Sequence, residues 1–384
     1  MKKIYLDHAA TTPVDARVLA AMKPFFSSKY GNASSLHSFG TEAAKAIDDA
    51  RQIIADSLRA EASEIIFTSG GTEANNLALK GAAYANRSKG KHIITTRIEH
   101  HCVIEACRWL ERQGFEVSYL PVDKYGFVSR QKLERAIRDD TILASIMYAN
   151  NEIGTTEPVS ELAEICKSRG IYFHTDAVQA YGKIPLEMKN IDMLSLSAHK
   201  LYGPKGIGAL FVRNVKPEPL LHGGGQERGF RSGTENVAGI VGFGAAASIA
   251  MREMKKDARQ QSMLRDRLIK GCLKIENSFL NGHPKQRLPN NANVWFRFIE
   301  GESLVLMLDD KGIAASTGSA CSSKSLEPSH VLLAIGLRHE EAHGSLRFSL
   351  GRQNTRQEID YTIKAIPEAV ERLREMSPFK KRYG

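Results

Sequence analysis

His174-Thr175-Asp176-Ala177-Val178-Gln179 and Ser195-Leu196-Ser197-Ala198-His199-Lys200 decide the fold of this chain. Each hexapeptide closes a short apolar or β-branched run, 171–175 and 193–197, and places a reactive side chain at or just beyond its end. Such runs, bounded by turn residues, read as strands. Where they alternate with helix-period segments they read as β-α units of a parallel sheet. Ligands bind beyond the carboxyl ends of such strands, so an acid at 176 and a lysine at 200 emerge at one edge.

Outward from these two, similar runs occupy 65–68, 92–96, 116–120, 142–148 and 208–212. Helix-period segments fall at 73–86, 103–113, 130–138 and 159–168, two of them closing just before Gly114 and Gly170. Seven strands predict one α/β domain built on a mainly parallel sheet, spanning 15–250. A long Ala-rich and then charged stretch from Glu235 to about Leu273 leads into a second mixed region. A smaller α+β domain is therefore expected from 1–14 together with 251–384.

The first strand end continues Phe67-Thr68-Ser69-Gly70-Gly71-Thr72-Glu73-Ala74-Asn75-Asn76, a glycine turn opening into a helix. Backbone N–H groups and the positive end of the helix dipole there suit an anion, with the Thr72 hydroxyl as a further donor. No G-x-x-x-x-G-K-[ST] occurs, and the near-match to a dinucleotide fingerprint at 242–247 lies inside an apolar helical run. Taken singly, Asp176 reads as a helix cap, Lys200 as a surface lysine and the glycine turn as an ordinary helix start. Taken together they match pyridoxal phosphate: a carboxylate for the ring nitrogen, a desolvated amine for the aldehyde and a cradle for the phosphate.

The chain has 384 residues, 42% hydrophobic and 25% charged, a globular composition with room for two domains at ~150 residues each. Cys102, Cys107, Cys166, Cys272 and Cys321 are odd in number, scattered, and form no C-x-x-C pair, which argues against a disulfide framework or a zinc site. The opening Met1-Lys2-Lys3-Ile4-Tyr5-Leu6-Asp7-His8 has no apolar run after its lysines, and the apolar region around 240–251 is too short to span a bilayer. A cytoplasmic protein with no membrane partner is expected. The net charge of +10 is spread along the chain, with Lys380-Lys381-Arg382 as the notable cluster, so no direct DNA binding is expected.

Tyr5-Leu6-Asp7-His8-Ala9-Ala10-Thr11-Thr12-Pro13, Ser69-Gly70-Gly71-Thr72-Glu73 and Ser197-Ala198-His199-Lys200 resemble the class V aminotransferase family of pyridoxal-phosphate enzymes. Within it, the match to NifS/IscS-type cysteine desulfurases is close from Tyr5 to about Arg352. The resemblance implies a homodimer in the type I aminotransferase fold. It makes Lys200 the lysine linked to the cofactor, Asp176 the partner of the ring nitrogen and Gln179 that of the phenolic oxygen, and it assigns Gly71, Thr72, Ser197 and His199 to the phosphate. In Glu99-His100-His101-Cys102-Val103 it places His100 over the cofactor ring as a proton mover, although the adjacent His101 departs from the pattern. Of Asn150 and Asn151, Asn151 is favoured beside the cofactor. Thr234, in Arg231-Ser232-Gly233-Thr234, is assigned to the partner subunit's cofactor phosphate, Arg347 to the substrate carboxylate, and Asn32 to a second substrate contact.

Cys321 lies in Ala315-Ser316-Thr317-Gly318-Ser319-Ala320-Cys321-Ser322-Ser323-Lys324, a run of small and hydroxyl residues that reads as an exposed loop. A thiol there is accessible and able to act as a thiolate nucleophile, whereas the other four cysteines read as small apolar residues. The resemblance makes Cys321 the acceptor of sulfur from L-cysteine, which leaves L-alanine and a persulfide. That persulfide would pass to an iron–sulfur scaffold protein or a tRNA-thiolation acceptor, with at most a transient contact between Cys321 and a cluster. Competing readings are a selenocysteine lyase or small-amino-acid aminotransferase of the same fold, and a non-catalytic sulfur carrier or iron–sulfur scaffold.

Overall fold

Parallel strands buried on both faces have no solvent side, so they read as continuous apolar runs, and the seven runs do assemble into one sheet. The computed structural model describes residues 3–317 and 327–377. After a two-residue strand β1 (Ile4–Tyr5) come β2 (Ile65–Thr68), β3 (His92–Thr96), β4 (Glu116–Leu120), β5 (Thr141–Ser145), β6 (Tyr172–Asp176), β7 (Met193–Ser197) and β8 (Gly208–Val212). Five have the expected bounds and β6 is displaced by one residue. Regular pairing in β5 ends at Ser145 rather than 148, yet the amides of Ile146 and Tyr148 still donate to the carbonyls of His174 and Asp176.

The sheet order is β2-β8-β7-β6-β5-β3-β4. Strand β8 is antiparallel to both β2 and β7, and the remaining neighbours are parallel. Two antiparallel steps leave β2 running the same way as β7. The carboxyl ends of β2, β3, β5, β6 and β7 therefore share one edge, and the turns that follow them converge there.

Apolar clusters cover both faces. One includes Ile54, Phe67, Phe173, Leu196 and Phe243, and the other Ile66, Leu77, Val103, Leu143 and Leu210. The expected helix at 73–86 starts earlier, at Gly71, and passes through a π turn at Leu77–Gly81 before Ala82–Asn86. Helices His101–Arg112 and Val159–Ser168 end at residues just before Gly114 and Gly170, which both have positive φ, as C-terminal glycines do.

Helix Val237–Cys272 runs for 36 residues and contains the apolar region at 240–251, which is thus part of a longer helix rather than a short run. One window of it is apolar enough to cross a bilayer, but 56% of that window is buried inside the protein. It packs closely on helix Ser38–Leu58: a Cβ at Gly244 would lie 2.8 Å from that of Ala50. Its far end joins a second core of Leu264, Leu268, Val294, Phe296, Phe348 and Ile366. There β9 (Ser278–Asn281), β10 (Asn291–Phe296) and β12 (Ser345–Ser349) form an antiparallel sheet, β10 at its centre. β11 (Ile313–Ala314) pairs with β1. Ile4 and Leu6 pack into this second core, while Val331, Leu332 and Ile335 pack into the core of the large sheet.

Candidate active site

Close backbone approach shapes the rim. Gly208 opens β8 beside the ends of β2 and β7, and a Cβ there would lie 2.7 Å from Gly70. At Gly71 a Cβ would meet Val178 Cγ2 at 2.8 Å and Ser197 Cβ at 3.6 Å. The three turns expected to hold a cofactor thus touch one another at Gly71, Val178 and Ser197.

Asp176, at the end of β6, is buried and held on both oxygens: Asn75 Nδ2 donates to Oδ2 at 2.7 Å and Val178 N–H to Oδ1 at 2.9 Å. Lys200 follows β7 in a short 3-10 turn. Its Nζ donates to the carbonyls of Ala9 and Ala10 at 2.6 and 2.7 Å. Gln179 Nε2 also donates to Ala9, at 3.0 Å. The Lys200 turn is clasped by the same N-terminal segment: the Thr12 N–H and Oγ1 both donate to the His199 carbonyl, and His199 Nδ1 lies 3.1 Å from Thr11 Oγ1. Burial, then the nearby lysines, bring His199 down to about 4, so it is neutral.

His100 caps helix His101–Arg112. Its Nδ1 accepts from the Cys102 N–H at 3.2 Å and lies 3.0 Å from the Cys102 Sγ, so the ring proton belongs on Nε2. Burial lowers its affinity for a second proton, with Asp176 pulling the other way. Cys102, expected to be a small apolar residue, instead joins this polar network: Asn75 Nδ2 lies 3.1 Å from its sulfur. Burial and then Asp176 push its thiol up to about 12, which keeps it protonated and unreactive. Cys166 and Cys272 are also pushed up to about 12 by burial. Cys321 lies outside the described residues.

The two asparagines after β5 part ways. Asn150 is buried, donating to the Ile98 carbonyl and accepting from the amides of Glu152 and Ile153. Its side chain serves the turn. Asn151 offers its carbonyl to Arg347 Nη1 at 3.2 Å, which places it beside the expected substrate clamp. Arg347 is buried on β12, with Nη2 2.9 Å from Asp7 Oδ1 and Nε without a partner among the described residues.

Both flanks of residues 318–326 attach to this edge. Ser316 exchanges backbone hydrogen bonds with Arg347. On the other side Ser329 Oγ donates to Glu152 Oε2 at 2.5 Å, and His330 Nε2 lies 2.9 Å from the Glu99 carbonyl. Two expected residues are not drawn in by a single chain. Asn32 is exposed and accepts from the Ser34 N–H. Thr234 is exposed, lining a cavity of about 150 Å³ with Thr68 and Ser69. A cavity of about 640 Å³ near Trp295 and Arg338 contains none of the expected residues.

The family model for class V aminotransferases matches residues 4–362. The chain belongs to the class V aminotransferase family. A relative from Methanosarcina thermophila named cysteine desulfurase IscS is 60% identical, covering 98% of this chain and 94% of the relative. A solved structure titled NifS-like protein superposes with a TM-score of 0.91 at 41% identity, covering 97% of this chain and 100% of that one. Another, titled SspA in complex with cysteine, gives a TM-score of 0.81 at 41% identity, covering 90% and 98%.

Class V aminotransferases are pyridoxal-phosphate enzymes of the type I fold, and the mainly parallel seven-stranded sheet is that fold's large layer. The residues present fit the group. A Cβ at Gly71 would fill the cradle between Val178 and Ser197, and Asp176 and Lys200 stand at adjacent strand ends. A buried polar atom, Asn75 Oδ1, has no partner among the described residues beside the carboxylate. Three residues at this edge were given no role from sequence: Asn75, and Ala9 and Ala10, whose carbonyls carry no side-chain signal and which only their place in the N-terminal motif marked.

Proposed function

We propose that this protein is a pyridoxal-phosphate-dependent cysteine desulfurase that yields L-alanine and a persulfide on Cys321. The observation that carries the reading is the joint attachment of both flanks of residues 318–326 to the edge that holds Lys200, Asp176 and Arg347. A desulfurase needs a thiol nucleophile at that edge, which a plain aminotransferase does not require.

Lys200, Asp176, Gln179, Gly71, Thr72, Ser197 and His199 would hold pyridoxal phosphate, which would supply an electron sink for the substrate Cα. Arg347 binds the substrate carboxylate, its Nη2 already oriented by Asp7. The Lys200 amine would remove the Cα proton, and Asp176 would hold the proton of the ring nitrogen. The Cys321 thiolate attacks the substrate sulfur: an S–S bond forms, the C–S bond breaks, and its electron pair stays on the carbon fragment. Protonation of that fragment, a role assigned to His100 Nε2–H, would complete alanine.

The same reading includes a cytoplasmic homodimer in which Thr234 and its neighbours serve the partner's site, and Asn32 as a second substrate contact. It also includes a persulfide acceptor that is an iron–sulfur scaffold or a tRNA-thiolation protein. Division at residue 250 falls inside helix Val237–Cys272, which would act as a rigid strut between the two domains.

Sulfide and alanine released from L-cysteine with a reductant test the proposal. Equal yields from the wild type, lost in both Lys200→Ala and Cys321→Ala, are expected. Turnover that survives Cys321→Ala would replace the desulfurase with a lyase or transaminase on the same fold, and a protein that takes up no pyridoxal phosphate would point to a sulfur carrier.

A further inference from the structure

Lys183 is a charged group that the mechanism above leaves unused. Its Nζ donates to the Gln179 carbonyl at 2.9 Å and to Gln179 Oε1 at 3.2 Å. An ammonium only donates, so the contact fixes which end of the carboxamide is oxygen. Nε2 must point the other way, where one of its protons goes to the Ala9 carbonyl, the carbonyl that Lys200 also uses. Lys183, Gln179, Ala9 and Lys200 form one hydrogen-bonded chain.

Lys183 is held there for want of alternatives. A void of about 20 Å³, room for about one water, separates it from Lys200, with His8, Tyr202, Asp257 and Arg352 around it. Asp257 is occupied by Arg352 at 2.5 Å. On the outer side lie Lys255, Arg265, Lys285 and Arg287, and among the described residues no carboxylate pairs with Lys183. Burial and then the Lys200 charge bring its amine down to about 7. Two N–H groups serve both Gln179 contacts in either protonation state.

Resting on the reading of this edge as a pyridoxal-phosphate centre, we propose that Lys183 is a positioning residue that locks the Gln179 carboxamide with its N–H donors toward the cofactor. Without Lys183 only the Ala9 carbonyl still holds the carboxamide, and a rotation that turns its oxygen to the cofactor's phenolic oxygen changes a hydrogen bond to a charged acceptor into a repulsion.

The test titrates the visible absorbance of the pyridoxal-phosphate-loaded protein against pH, in wild type, Lys183→Met, Gln179→Ala, the double variant and Lys183→Arg. Lys183→Met is expected to raise the titration point by roughly one pH unit, the equivalent of one hydrogen bond to a charged group. Gln179→Ala should do the same, and the double variant should shift no further than Gln179→Ala alone. Lys183→Arg retains the donors and should titrate like wild type. A Lys183→Met titration that matches wild type, or adds fully to that of Gln179→Ala, overturns the proposal. Should Lys183→Met fail to fold, a shifted titration in Lys183→Arg overturns it too. Failure of the wild type to develop a visible band would instead overturn the cofactor reading itself.

Discussion

Asn75 Nδ2 donates to Asp176 Oδ2 at 2.7 Å across two elements far apart in sequence. The bond keeps the carboxylate aimed at the floor of the site. Replacing Asn75 with Ala removes a hydrogen bond to a charge worth about 1.5–3 kcal/mol. Affinity for pyridoxal phosphate should fall by roughly 10- to 100-fold, measured by equilibrium reconstitution of the apoprotein.

Arg347 presents a planar fork already steered by Asp7 and the Asn151 carbonyl. Lysine cannot reproduce that bidentate geometry. Arg347→Lys should raise the KM for L-cysteine by about tenfold or more, with a smaller change in kcat, as initial-rate kinetics would report.

Glu99 is fully buried; Oε1 accepts from Thr96 and the Met147 amide, and Oε2 has no partner among the described residues. Burial pushes its carboxyl from the ordinary 4.5 up to about 8. Between those values the folded protein keeps a proton that the unfolded chain releases. Its contribution to stability is therefore full below about pH 4.5 and is lost as pH rises through about 8. Glu99→Gln, of the same shape but unable to ionise, should leave Tm unchanged near pH 4.5 and raise it by a few degrees near pH 9. Glu157, also raised to about 8, should preserve part of the slope. Thermal melts across that range decide the matter.

Arg51 and Glu227 pair bidentately at 2.7 and 2.8 Å, with side chains 8% and 3% exposed. Glu227 also accepts the Phe67 amide, so the pair ties helix Ser38–Leu58 and β2 to the loop that carries Thr234. Glu227→Ala leaves the guanidinium buried without its partner and should cost about 3–5 kcal/mol, seen as a lower denaturant midpoint.

The large sheet was legible because its strands, the edge strand β4 apart, lie buried on both faces and turn residues mark their ends. β5 was misjudged because Ile146 and Tyr148 go on bonding to β6 after regular pairing stops. Asp176 and Lys200 were legible from their places after strands. Cys102 packs against an apolar cluster as a small apolar residue would, but only folding brings Asn75 and His100 to its sulfur. Asn75 and Lys183 left no trace because each acts on another side chain, through contacts that no periodicity encodes. The resemblance named Gln179, but it did not reveal what orients it.

Ala9 N–H meets Ser349 Oγ at 2.8 Å, and His8 Nδ1 lies 3.1 Å from the Ser349 carbonyl, while Thr12 and Ala9 grip the Lys200 turn. The clasp over the reactive lysine is thus held at its other end by a strand near the close of the chain. The clasp is complete only when β12, some 340 residues further along the chain, is in place. A chain truncated before β12 would leave the reactive lysine without its anchored cover, however well its large sheet has formed.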